Sequence, residues 1–163
     1  MSSVESLPSG GTWTYPSEPG KGRPTLRGTD APDRLEANRG ENSTIIGGGG
    51  GDQLVGNVGR NNFKYEQPTD SLASDPDRIT SFNPKDDKID LSKLLKNMGV
   101  HKIKMTEGPP EKVGDVQLTY KRPEEVGMLT MKLAPEGENF TVIVDGVHLT
   151  EKNIKFFKKR HGE

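Results

Sequence analysis

The sequence predicts an all-β protein in two parts: a short coil of stacked glycine-rich turns joined by very short strands, followed by longer strands buried on one face. Three observations carry this expectation. Between residues 28 and 64 the glycines, the acidic residues and the large apolar residues keep a common phase of nine or ten residues. Between residues 116 and 144 apolar and polar residues alternate, the period of a half-buried strand. The breaks "EGPPEKVGD", "RPEEVG" and "PEGE" carry the Pro, Gly and acidic residues of turns.

Residues 1–27 are rich in Ser, Pro and Gly and show no apolar period, so they are expected to be disordered or loosely attached. Trp13 and Tyr15 stand out there. They either pack across an open end of the domain or form a short docking segment for a partner.

From Gly28 four units follow one another: "GTDAPDRLE", "ANRGENSTII", "GGGGGDQLV" and "GNVGRNNFK". Their apolar positions are Leu35, Ile45, Leu54 and Phe63. The third unit satisfies every position of the nonapeptide GGxGxDxUx, where U is large and apolar, with Gly47, Gly48, Gly50, Asp52 and Leu54. The fourth keeps Gly56, Gly59 and Phe63 but has Asn61 where the aspartate belongs, the first keeps Gly28, Asp33 and Leu35, and the second has Gly40, Asn42 and one extra residue.

The pattern has a physical reason. A sharp turn whose carbonyls point inward needs backbone conformations that glycine reaches without steric cost. The strand that follows is too short to bury its apolar residue alone, so turns must stack. If two units complete one coil, loops about 18 residues apart lie on each other. Asp33 and Asp52 are then neighbours on one side, and Asn42 and Asn61 on the other. Carboxylates and main-chain carbonyls are the oxygen ligands that calcium prefers. The expected ligands between the first and third units are Asp33 and Asp52 with the carbonyls of Thr29, Ala31, Gly48 and Gly50. A weaker site is expected from the neutral amide oxygens of the stacked Asn42 and Asn61, with Gly59 in the same loop. A linker would not share its neighbours' phase, and a phosphate loop would need Lys and Ser or Thr where Asp52 and Gln53 stand.

These units resemble the calcium-binding RTX repeats of bacterial secreted proteins. The resemblance continues through "DRITSFNPKDDKIDLSKLL", Asp77 to Leu95, and "FTVIVDGVHLTEKNI", Phe140 to Ile154, which are similar to the C-terminal domain of serralysin-type metalloproteases; similar modules end alginate epimerases and some secreted lipases. It spans about residues 28–157 and implies a parallel β-roll continuing into an antiparallel β-sandwich, bound calcium, and a secreted, extracellular location. Asp70, Asp75 and Asp77 either close a further calcium site at the end of the roll, as the resemblance allows, or form an exposed acidic turn. Asp86, Asp87 and Asp90 are expected in a solvated turn and helix cap.

Beyond the roll, "LSKLLKNMG" is a short helix candidate, with Asp90 or Ser92 to cap its start and Gly99 to end it. Three strands follow, with inward faces Val116, Leu118 and Tyr120; Leu129, Met131 and Leu133; and Phe140, Val142 and Val144. Residues 158–163 form a basic tail, "KKRHGE" from Lys158, where family members that use their C-terminus for one-step export carry an apolar run. His101, His148 and His161 are scattered and are expected at the surface.

Composition excludes several classes. There is no cysteine, hence no disulfide, thiolate metal site or cysteine nucleophile. No apolar run reaches a membrane span, and the N-terminal residues lack the pattern of a cleaved signal peptide. Residues 1–90 hold 10 Lys/Arg against 14 Asp/Glu, so the glycine-rich half repels polyanions and no nucleic-acid partner is expected. Neither the zinc motif HExxH of the family's proteases nor a GxSxG elbow is present. The expectation is a non-enzymatic, monomeric calcium module. Its alternatives are a module recognising a polysaccharide or protein partner, and an accessory chain to a separately encoded secreted hydrolase.

Overall fold

Up to residue 90, turns alternate with strands of two to four residues, and each strand crosses to the sheet opposite its predecessor. The computed structural model describes residues 4–5, 11–14, 25–37, 42–56 and 59–157. One sheet is built from β1 (Val4–Glu5), β3 (Thr25–Arg27), β5 (Thr44–Ile46), β7 (Asn62–Lys64), β9 (Lys88–Asp90) and β14 (Ile154–Lys155), in that order and parallel throughout. The other begins with β2 (Gly11–Thr14), β4 (Asp33–Glu36), β6 (Gln53–Val55) and β8 (Asp77–Thr80), also parallel. This alternation is the β-roll.

Register is set by the apolar ladder. Leu26, Ile45, Phe63, Ile89 and Ile154 lie side by side in the first sheet. Leu35, Leu54, Ile79 and Val144 do so in the second. All nine are buried and belong to one core cluster drawing on both sheets. A fully buried side chain of this size contributes about 1.5–3 kcal/mol, while a one-residue slip would turn the whole row outward.

The antiparallel part is continuous with the roll. Strand β8 receives β13 (Phe140–Asp145) in parallel, and β13, β12 (Val126–Met131) and β11 (Asp115–Lys121) form an antiparallel meander closed by β10 (Lys104–Thr106). The sandwich therefore grows by extending the roll's second sheet to eight strands. The inward residues expected on β12 and β13 are buried; on β11, Val116 is buried while Leu118 and Tyr120 are half-buried. Helix α1 (Ser92–Asn97) buries Leu94 and Leu95, Asp90 accepts hydrogen bonds from the Ser92 N–H and hydroxyl at 3.0 and 2.6 Å, and Gly99 ends it at φ +68°.

Two expectations are corrected. The roll does not begin at Gly28, because β1, β2 and β3 already belong to the sheets. Trp13 lies in β2, paired with Leu35 in β4, while Tyr15 and the basic tail lie outside the described residues. Asn42 does not stand over Asn61. Thr44 pairs with Asn62, and the Asn62 N–H bonds the Ser43 carbonyl at 2.8 Å, so the extra residue is absorbed before Ser43 and it is Ser43 that occupies the aspartate position.

Candidate metal centre

The loop from Gly47 to Asp52 lies directly on the loop from Gly28 to Asp33. Gly48 and Gly50 both have φ +80°, which only glycine adopts without strain. A Cβ on Gly48 would sit 2.5 Å from the Thr29 carbonyl oxygen, and one on Gly28 would sit 2.5 Å from the Gly47 carbonyl oxygen. Any side chain at these points would push the turns apart.

This close stacking aligns a column of carboxylates. The Asp33 N–H donates to Asp52 Oδ1 at 2.9 Å, and the Asp52 N–H donates to Asp77 Oδ1 at 2.8 Å. Asp33 Oδ2 accepts from the Thr29 N–H and hydroxyl at 2.6 and 3.0 Å. Each aspartate thus uses one oxygen to fix a turn. The second oxygens, Asp33 Oδ1, Asp52 Oδ2 and Asp77 Oδ2, are buried and have no hydrogen-bond partner. A Cβ on Gly47 would lie 2.5 Å from Asp52 Oδ2 and 3.3 Å from Asp77 Oδ2, so these two oxygens converge beside a position that must be glycine.

Burial first, and then the Asp77 carboxylate, push the Asp52 carboxyl up to about 9; the Asp33 N–H opposes them and Asp33 adds repulsion. Asp77, also buried, is held well above the usual carboxylate range by desolvation, which outweighs the Asp52 N–H and the neighbouring Tyr65 hydroxyl. The buried Tyr65 ring packs edge-on against Phe140 at 5.1 Å between centroids. Its phenol is raised well above the ordinary value, by burial and then by Asp77. Asp70 is raised by desolvation while its Oδ2 accepts from the Glu66 and Gln67 N–H groups at 3.2 and 3.0 Å, so it closes its own turn.

A second column runs on the opposite side of the roll, and there sequence reasoning missed a member. The Asn61 N–H donates to Asp87 Oδ1 and the Asn83 N–H to Asp87 Oδ2, each at 2.8 Å. Asp87 is fully buried and Asp90 nearly so, which corrects the solvated turn expected for both; Asp86 is exposed. The Asn61 amide N–H donates to the Gly56 carbonyl at 2.7 Å and the Gly59 carbonyl at 3.5 Å. An amide at this position draws loop carbonyls together with its own N–H.

Asp75 is exposed, and the Gly51 N–H donates to its Oδ2 at 2.9 Å, so it tethers the far end of the glycine run. A signal for these residues exists in the chain: the triplet of polar residue, any residue, large apolar residue recurs as Asp33-Arg34-Leu35, Asp52-Gln53-Leu54, Asp77-Arg78-Ile79 and Asp87-Lys88-Ile89 after the glycines have gone. His101 and His148 are exposed, and the His148 ring stacks on Tyr120 with centroids 3.5 Å apart. His161 lies outside the described residues.

Among the described residues no three carboxylate or imidazole side chains close on one point. A cation between the turns would therefore take main-chain oxygens to complete its shell, which a hard ion such as calcium accepts. Buried carboxylate oxygens without partners, lined by obligatory glycines, fit such an ion.

No curated protein matches the chain by sequence. Among solved structures, the AlgE6R2 subunit of the Azotobacter vinelandii mannuronan C5-epimerase is similar with a TM-score of 0.68 at 23% identity, covering 96% of this chain and 92% of that one. The AlgE6R3 subunit of the same organism's mannuronan C5-epimerase is similar with a TM-score of 0.68 at 22% identity, covering 96% and 84%. These likenesses concern the fold. Residues 39–156, well over half of the chain and running from before β5 to beyond β14 with Asp52 and Asp77 inside, match the family described as Peptidase M10 serralysin C terminal, and the chain belongs to the serralysin C-terminal family.

Proposed function

We infer that the protein is a non-enzymatic, secreted calcium-binding module whose β-roll folds on calcium. The observation that carries this reading is the pair of buried, unpartnered carboxylate oxygens on Asp33 and Asp52, with the buried Asp77 carboxylate in the same column beside the Tyr65 hydroxyl. Family membership supports it, and so does a sequence without HExxH or GxSxG. Calcium, when bound, supplies the positive charge that lets buried Asp52 and Asp77 ionise together. The chain's own residues do the rest. Asp52 and Asp77 hold the neighbouring turns through Oδ1 and leave Oδ2 for the ion, the Thr29 N–H orients Asp33, and the carbonyls of Thr29, Ala31, Gly48 and Gly50 furnish further oxygens.

Because only the folded turns assemble these ligands, binding free energy becomes folding free energy. With an extracellular-type affinity of about 10⁻⁴ to 10⁻³ M, the module would be empty in cytosol and loaded outside the cell. Isothermal titration of the full chain with calcium tests the reading: saturable binding in that range, lost in Asp52→Ala, is expected. Calcium heats no different from buffer would overturn it.

A further inference from the structure

We propose that the corner formed by β14, Phe157 and the basic residues that follow is a docking surface for an anionic lipid bilayer. Strand β14 pairs with β9 alone and is the edge of the six-stranded sheet. Burial alternates along the closing segment: Ile154 is buried, Lys155 exposed, Phe156 half-buried against the core and Phe157 exposed. Phe157 is 44% exposed, and among the described residues only Val113 is another large hydrophobic side chain left open to this degree. A single exposed ring is ordinary at a surface; its neighbours give it a role.

Those neighbours are basic. From residue 151 onward the chain carries Lys152, Lys155, Lys158, Lys159 and Arg160 against Glu151 and Glu163, although its net charge as a whole is −1. Lys152 and Lys155 are exposed, and among the described residues neither forms a salt bridge. Both line one depression of about 570 Å³ together with Ile154, Phe156 and Phe157. Ammonium groups and apolar side chains thus share one opening.

The corner is fixed before any partner arrives. The Leu91 N–H donates to the Lys155 carbonyl at 2.8 Å, and the Lys88 ammonium donates to the Lys152 carbonyl. The amide N–H of buried Asn153 donates to the Pro84 carbonyl at 2.9 Å, while its amide oxygen accepts from the Thr150 N–H at 2.9 Å. Docking would not have to order residues 150–155 first, which removes one of the usual entropy costs of association.

Charge and ring together select the partner. Each Lys or Arg held near an anionic bilayer favours binding by about fivefold, and a phenyl ring beside them can enter the boundary between headgroups and acyl chains. Duplex DNA answers the charge but gives the ring nothing apolar to enter without unstacking a base step. None of the calcium ligands proposed above lies in this corner. The surface therefore goes beyond the calcium reading, and the two fail separately: circular dichroism in calcium reads one, vesicle binding the other.

The test is cosedimentation of the full, folded chain in millimolar calcium with vesicles of phosphatidylcholine, alone or mixed with phosphatidylglycerol. The mixed vesicles should bind at least about tenfold more tightly than the neutral ones, and less so with added salt. Lys158→Glu/Lys159→Glu, beyond the last strand, should lose at least about tenfold in affinity, and Phe157→Ser about threefold or more. Arg34→Glu/Lys121→Glu makes the same change of net charge on β4 and β11 of the other sheet, and should bind within about twofold of the parent. Phe157→Trp should add emission that brominated lipids quench, above the parent's Trp13 signal. A folded chain that ignores the mixed vesicles would overturn the surface. So would an equal loss in the Arg34/Lys121 variant, or binding that survives both the reversal at Lys158 and Lys159 and the loss of Phe157. Duplex DNA bound as tightly as the mixed vesicles would overturn the ligand class.

Discussion

Asp52 is the residue at which burial and charge oppose folding most directly. Its carboxyl, pushed up to about 9 in the fold from 3.8, binds a proton that the unfolded chain releases far earlier. Below about pH 4 both states are protonated and nothing is lost; as pH rises through the window from about 4 to 9, the ion-free fold loses stability. Ion-free melting temperatures should therefore fall from about pH 5 to pH 8, and calcium affinity should rise over the same range because binding releases protons. Melts at several pH values with and without calcium check both. Asp77→Asn keeps an acceptor for the Asp52 N–H while removing a buried charge, so it should raise the ion-free melting temperature and shrink the calcium response. Asp52→Ala should weaken calcium binding strongly, whereas Asn61→Ala should change it little because the Asn61 amide already closes its loop on Gly56 and Gly59. The stacking of Asp33 on Asp52 was legible from their spacing. Asp77 and Asp87 were harder to place, since their turns have lost the glycine signature and only the triplet ending in Ile79 or Ile89 remains.

At the scale of elements, the glycine turns set how closely successive strands can stack. Gly48→Ala would bring a methyl group to 2.5 Å from a carbonyl oxygen at φ +80°, and should cost about 1–3 kcal/mol. Gly49, whose Cβ would meet nothing nearer than 3.4 Å, should accept alanine within about 0.5 kcal/mol. Urea unfolding of the two variants in saturating calcium compares them. The strands of the meander were readable because alternation states which face is inward. Strand β3 was not, although Leu26 lies one nine-residue step before Leu35 and Gly20 and Gly22 precede it by the same six and four residues that separate Gly48 and Gly50 from Leu54: Pro24 takes the aspartate position, and the Ser- and Pro-rich composition around it hides the phase. The place of the extra residue near Ser43 was equally hidden, because Asn42 imitates the missing aspartate while the buried Ile45 actually sets the register.

For the whole molecule, one core joins roll and meander through the pairing of β8 with β13. Turns held apart by unneutralised carboxylates would weaken that junction as well, because Asp77 begins β8 and its N–H is fixed by the Ser71 hydroxyl at 2.8 Å. Calcium should thus stabilise the chain as one unit. At about a hundredfold excess over Kd the gain is about 2.7 kcal/mol, or roughly 5–10 °C in melting temperature for a chain of this size. The most direct measurement is a thermal melt followed by circular dichroism in millimolar calcium, in millimolar magnesium and in chelator. A calcium-specific rise of that order together with a gain of strand signal is the predicted result, since magnesium's tighter octahedral shell does not suit these loops. Coincident melts in calcium and chelator would contradict the account.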